Sequence, residues 1–222
     1  MTALTHDLAP TDRPAPLSLR LREGTQPEHE QAESSGFVEK LMSGQLDVAA
    51  YADLAAQQWA IYGALEDASA AIRDDVQGAT LVFDELARTP ETEKDLAFLV
   101  GTDWAERITI RPATERYVAR LREVGTSLPA YAAHAYTRYL GDLSGGQIIK
   151  RMLERHYGLV DDGLAFYTFV EIPKSKPFKD VYRERLDGLA LTPAQVDETV
   201  AEARRAFRLN SDVFADLGAV HC

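Results

Sequence analysis

Apolar residues recur at three- and four-residue spacing along almost the whole chain from Leu17 onward, and no stretch sustains alternation at a spacing of two. The first pattern places side chains on one face of a helix, whereas the second would mark strands. Tyr51, Leu54, Ile61, Tyr62 and Leu65 fall on one face of a long helix that Asp47 is placed to cap. Elsewhere proline and glycine mark the boundaries. "TPETEKDLAFLVG" offers Thr89 as N-cap, Pro90 at the first helical position and Gly101 as a stop. "RPATERYVARLREVG" opens at Pro112 and closes at Gly125 in the same way, and another helix opens near Pro129. The last runs from Thr192 as N-cap, through Pro193, to Gly218 as its stop. No hairpin turn sits between β-branched runs. These signals predict an all-α single domain of about eight helices over residues 17–218, followed by a short tail at 219–222. Asp161–Pro177 reads as an irregular connection holding at most a short helix. There is no internal repeat.

Two places interrupt the periodicity. In "REGTQPEHEQAESSGF", Thr25 and Glu28 have capping-box spacing and Pro27 is tolerable in a first turn. Either a helix begins at Thr25, or one from Leu17 runs on and kinks there; both readings put His29 close to a helix break. In "RYLGDLSGGQIIKRM", Gly141, Gly145 and Gly146 lie in what is otherwise helix. Each costs about 1 kcal/mol relative to alanine in a helix interior. Such a segment either packs closely against another helix or lies against a flat ligand, and the spacing leaves both open.

Composition narrows the function. The chain has 222 residues and is 45% hydrophobic, enough for a sizeable core. Its net charge of −11 argues against nucleic acid or an anionic membrane as the main partner. It also makes any local basic cluster more informative. The single cysteine, Cys222, builds neither a disulfide nor a zinc site, and fits a reducing compartment. Residues 1–16 lack a signal-peptide pattern and, with three prolines, read as a disordered lead-in. No apolar run is long enough to span a bilayer. The expectation is a soluble, cytoplasmic protein.

Among groups able to do chemistry, no two histidines have metal-site spacing, and no phosphate-binding glycine loop or nucleophile elbow is present. His29 and Glu33 are four apart and share a helix face. A carboxylate there would fix the imidazole tautomer and leave its other nitrogen for a metal or haem iron; the alternative is a surface pair on an acidic helix. Lys179 and Arg183 project from one face in "KPFKDVYRERL" and, with Arg22, could hold carboxylates or simply form a solvated face. Tyr62, Tyr136 and Tyr139 read by default as core aromatics with a hydroxyl reaching a partner.

Taken together, these segments resemble one family. "YTRYLGDLSGGQ" (Tyr136 to Gln147) is similar to the distal-helix signature of haem oxygenases, and "HEQAE" (His29 to Glu33) to their proximal-ligand motif. "FKDVYRERL" and "AFRLNSDVFADL" resemble the family's C-terminal blocks, in family order and at family spacing. The resemblance implies haem b held between a proximal and a distal helix, as cofactor and substrate at once. His29 would be the axial iron ligand, with Glu33 as its hydrogen-bond partner. Gly141, Gly145 and Gly146 would press backbone against the distal face. Asp142 would anchor a water network there, supported by Arg138 and Tyr62. Arg22, Tyr136, Lys179 and Arg183 would surround the propionates, with Phe207 and Asn210 also in contact with the haem.

Haem degradation with O2 and an external reductant would then yield biliverdin, carbon monoxide and ferrous iron, with the α-meso carbon the family's usual point of opening. Ferredoxin with its reductase, or a flavoprotein reductase, would supply electrons to what is expected to be a monomer. Two positions depart from the family pattern: Pro27, within the proximal helix, and Gln26, where many members carry a basic residue. The same fold could instead serve a non-enzymatic haem carrier or a helical interaction module.

Overall fold

A computed structural model describes residues 14–222. The lead-in expected at 1–16 therefore lies almost wholly outside the described residues. Among those described, the regular structure is entirely helical, in eleven α segments. The excess over the expected eight comes from a break near Thr25, from the short α3 (Gly36–Met42) and from the single turn α6 (Trp104–Arg107).

Two long helices frame the molecule. Helix α4 (Val48–Ile72) packs against α5 (Thr89–Leu99), α7 (Pro112–Val124) and α8 (Leu128–Gly141). Helix α11 (Pro193–His221) crosses α8, α7 and the N-terminal α1 (Leu17–Gly24) and α2 (Gln26–Glu33). The expected apolar face of α4 is buried, but so are Ala50, Ala55, Ala56, Gln57 and Ala64 on its other sides. Small residues let neighbours approach α4 over most of its surface, leaving an exposed strip that includes Ala49, Asp67 and Ala70.

Capping follows the sequence where it is local. The Asp47 carboxylate accepts from Ala50 N at 2.9 Å. Thr192 and Gln195 form a full capping box. Thr89 departs from expectation: it is the first helical residue of α5, not its cap. The cap comes from α4, where Glu66 accepts from Arg88 N at 2.5 Å and Thr89 N at 3.0 Å. Gly101, at φ +120°, does end its helix in a conformation that favours glycine. Gly218 is not a stop: α11 continues to His221, whose ring lies 2.9 Å from an Asp53 carboxylate oxygen on α4. The residues read as a free tail are mostly helix.

At the N-terminal break, the kinked-helix reading holds. Thr25 forms no cap; its hydroxyl donates back to Leu21 O at 2.8 Å, and His29 N still donates to Thr25 O at 2.9 Å. Pro27 falls in the first turn of α2, where its missing N–H costs nothing. Between Asp161 and Ser175 the chain is irregular except for a 3-10 turn, Ala165–Tyr167. Helix α10 (Ser175–Asp187) follows, and α9 (Gln147–Tyr157) precedes it.

Candidate functional site

Between α2 and the C-terminal half of α8 lies a cavity of about 620 Å³. Of the four described histidines, only His29 lines it. Its ring meets Phe207 of α11 edge-on, with centroids 5.6 Å apart, and an Arg208–Glu28 ion pair at 3.1 Å ties α2 to α11. His134 is excluded by its surroundings: it is fully buried, with one ring nitrogen 3.1 Å from Glu202 and the other 3.5 Å from the Tyr117 hydroxyl. The Glu33 side chain lies outside the described part of the structure. Gln26 also lines the cavity, its amide donating to Glu30 at 2.7 Å.

The opposite wall is the glycine segment. Helix α8 ends at Gly141, and Asp142–Gly146 forms a π-helical turn before α9. Such widenings leave carbonyls without their usual partners. Gln147 compensates: its amide donates to Asp142 O at 3.2 Å and Tyr167 O at 3.0 Å. None of the three glycines has a positive φ, so their backbone would admit alanine. A Cβ on Gly146 would sit 3.3 Å from the Tyr167 ring, so this glycine answers to packing. A Cβ on Gly141 or Gly145 would meet nothing within 4 Å. All three line the cavity, and for Gly141 and Gly145 neither backbone geometry nor protein packing accounts for the missing side chain. The two readings left open by the sequence thus divide among the three residues.

Asp142, 8% exposed, projects from this turn and also lines the cavity. Its carboxylate accepts from the hydroxyl of Tyr62, which is wholly buried behind it in α4. Burial pushes the Asp142 carboxyl up to about 6, against the opposing pull of Arg138, the Tyr62 hydrogen bond and Arg88. Burial, reinforced by the Asp142 charge, holds the Tyr62 phenol well above its usual value. The Arg138 guanidinium lies 4.9 Å from the Tyr62 ring centre and donates to the Asn210 side-chain oxygen. A carboxyl poised near neutrality beside a cavity can hold or release a proton there.

At the rim, Arg22, Tyr136 and Arg183 line one side. Burial raises the Tyr136 phenol even though both arginines favour its ionised form. Arg183 is partly engaged by Asp180 at 2.9 Å. Lys179 is placed differently from its expected role, since it does not line the cavity. Its ammonium donates to Ser144 Oγ at 2.8 Å and approaches Leu143 O at 3.4 Å, clamping α10 to the π-turn. Tyr62 likewise stays behind the wall. No motif or periodicity marks Gln58 and Tyr167, which also line the cavity. They are 109 residues apart and meet only through the fold.

A family model described as Heme oxygenase matches residues 15–216. The chain belongs to the haem oxygenase family. Among haem oxygenases it is 38% identical over 202 residues to heme oxygenase 1 of Synechocystis sp., covering 90% of this chain and 84% of that protein. Identity to human heme oxygenase 1 is 41% over 212 residues, covering 94% of this chain and 74% of the human protein. The crystal structure of the Synechocystis enzyme in complex with heme superposes with a TM-score of 0.88 at 37% identity, over 92% of this chain and 93% of that one. A haem oxygenase fold is thus shared in sequence and in shape, and among the described residues no helix is long and apolar enough to cross a membrane.

Proposed function

We propose that this chain is a haem-degrading monooxygenase that binds haem b between α2 and the α8–π-turn wall. The observation that carries the reading is the pair of cavity-facing glycines, Gly141 and Gly145, whose absent side chains are explained by a flat ligand and by nothing in the protein. Donor chemistry agrees. One face of the cavity offers an imidazole, the other backbone and a carboxyl, and the rim offers two guanidinium groups and a phenol for carboxylates.

In this reading His29 ligates the iron, with Glu33 fixing its tautomer. Phe207 packs beside the His29 ring, and Asn210 orients Arg138. Arg22, Arg183 and Tyr136 hold the propionates, while Lys179 steadies the π-turn. Haem supplies the iron at which O2 is reduced and is itself the molecule opened at a meso carbon, giving biliverdin, carbon monoxide and ferrous iron. Asp142, hydrogen-bonded to Tyr62, holds a proton on the distal side and passes it through ordered water. Glycine backbone places no side chain of its own at that face.

The chain has no nicotinamide or flavin motif, so electrons come from a ferredoxin or a flavoprotein reductase. We place the protein in the cytoplasm as a monomer. A haem carrier on the same fold would have no use for a buried carboxyl poised near neutrality, which favours turnover. Reconstitution with haem, then reductant and O2, should replace the Soret band with biliverdin absorption. A complex that returns to intact haem would contradict the proposal.

A further inference from the structure

Two polar side chains of the cavity wall have no part in this scheme. Gln58, 7% exposed, and Tyr167, 1% exposed, both line the cavity. The Gln58 amide N–H donates to the Tyr167 hydroxyl oxygen at 3.3 Å. Its Oε1 has no partner, and among the described residues no acceptor is within reach of the Tyr167 proton. With the amide turned over, the hydroxyl would donate to Oε1 and the amide protons would be left over. In either arrangement the pair brings more protons than the protein accepts. Unpaired buried polar groups are destabilising, and a phenylalanine–leucine pair would avoid that cost.

The turn that carries Tyr167 is held by four side chains. Asp95 accepts from Ala165 N at 2.7 Å and Phe166 N at 2.8 Å. Arg88 donates to Phe166 O and Thr168 O, each at 3.2 Å. Lys150 donates to Thr168 Oγ1 at 2.9 Å. The fourth, Gln147, bonds the carbonyls of both Tyr167 and Asp142. A Cβ built on Gly146 would touch the Tyr167 ring at 3.3 Å and Asp142 Cβ at 3.5 Å, so the two residues flank one point.

We infer that Tyr167, oriented by Gln58, presents its hydroxyl proton to the cavity as a hydrogen-bond donor to an oxygen ligand. It is a positioning residue on the Ala165–Tyr167 turn, which Gln147 ties to the π-turn that carries Asp142. The acceptor is a water or the oxygen end of a diatomic on the haem. The inference rests on the haem-binding reading above for its functional consequence, but the donor itself exists without haem.

The test uses the full chain in two states. In haem-free crystals an ordered water should lie within hydrogen-bond distance of the Tyr167 hydroxyl, and a dry hydroxyl would overturn the assignment. In the haem-bound ferrous CO complex, a donor near the ligand lowers the C–O stretching frequency. Tyr167→Phe should raise that frequency and remove its H2O/D2O shift. Gln58→Leu should broaden the band as the hydroxyl loses its fixed rotamer. A retained water at Tyr167 in the complex identifies water as the acceptor, whereas a shift without it identifies the diatomic. Unchanged frequency and isotope shift in Tyr167→Phe, even with a lowered melting temperature, would reduce Tyr167 to a packing role. Failure of the native protein to bind haem would instead strike at the proposed function, and the haem-free crystals would still decide the donor.

Discussion

The two walls of the cavity are built in opposite ways. The proximal wall, α2, has eight residues, no side-chain cap, a proline in its first turn and little buried beyond Ala32. The distal wall, α8 with its π-turn, buries eleven of the 14 residues of α8. It is also cross-tied by Tyr62, Asn210, Gln147 and Lys179 from four other helices. Local stability follows buried contacts and satisfied hydrogen bonds. The distal wall is therefore formed before haem arrives, and the proximal wall is completed by it. A ligand that binds only the finished site stabilises the weaker wall most. The tolerances also differ: a proximal helix can carry Pro27, while on the distal wall each missing Cβ has an assignable reason.

The sharpest break between the walls concerns His29 and Asp142. His29→Ala should abolish the histidine-type haem spectrum. Asp142→Ala should keep that spectrum and lose biliverdin formation by at least ~100-fold, the scale of a lost proton-transfer group. Persistence of the spectrum in His29→Ala would point to another ligand, and wild-type turnover in Asp142→Ala would dismiss the proton-holding role.

Next in size is the pH dependence of the distal wall in the haem-free protein. Burial raises the Asp142 carboxyl from 3.8 to about 6, so the folded state binds a proton that the unfolded state releases between those values. Stability contributed by this group is therefore lost as pH rises through that window, by roughly 3 kcal/mol at 1.36 kcal/mol per unit. Asp142→Asn should match the native protein at pH 3.5 and exceed it progressively up to pH 6, as read by denaturant melts at each pH. A pH-independent difference would contradict the shift.

Smaller effects test the glycines. Gly145→Ala meets open space and should stabilise the haem-free protein by up to about 1 kcal/mol while weakening haem binding. Gly146→Ala pushes on the Tyr167 ring and should destabilise it. On the proximal side Pro27→Ala should change haem-free stability by less than about 1 kcal/mol, because a first-turn proline breaks no hydrogen bond.

What could be read from the sequence was what is local. Asp47 and Thr192 cap through residues three positions on, and both caps form as expected. Thr89 did not behave so, because its helix takes its cap from Glu66, 23 residues away and on another helix. The glycine cluster was visible, yet the packing constraint that sets Gly146 apart from Gly141 and Gly145 depends on Tyr167, which arrives from a separate turn. Lys179 shares α10 with Arg183 four residues on, as the spacing predicts, but its ammonium donates to Ser144 on the π-turn. Gln58 gave no signal at all, since in a helix buried over most of its surface periodicity does not distinguish a cavity wall from core.

Amide hydrogen exchange, with and without haem, tests the contrast between the walls most directly. Without haem, the amides of α8 and the π-turn should exchange slowly and those of α2 rapidly; haem should slow α2 strongly and leave α8 nearly unchanged. Rapid exchange of both walls in the haem-free protein, with equal protection gained by both on haem binding, would contradict a preformed distal wall.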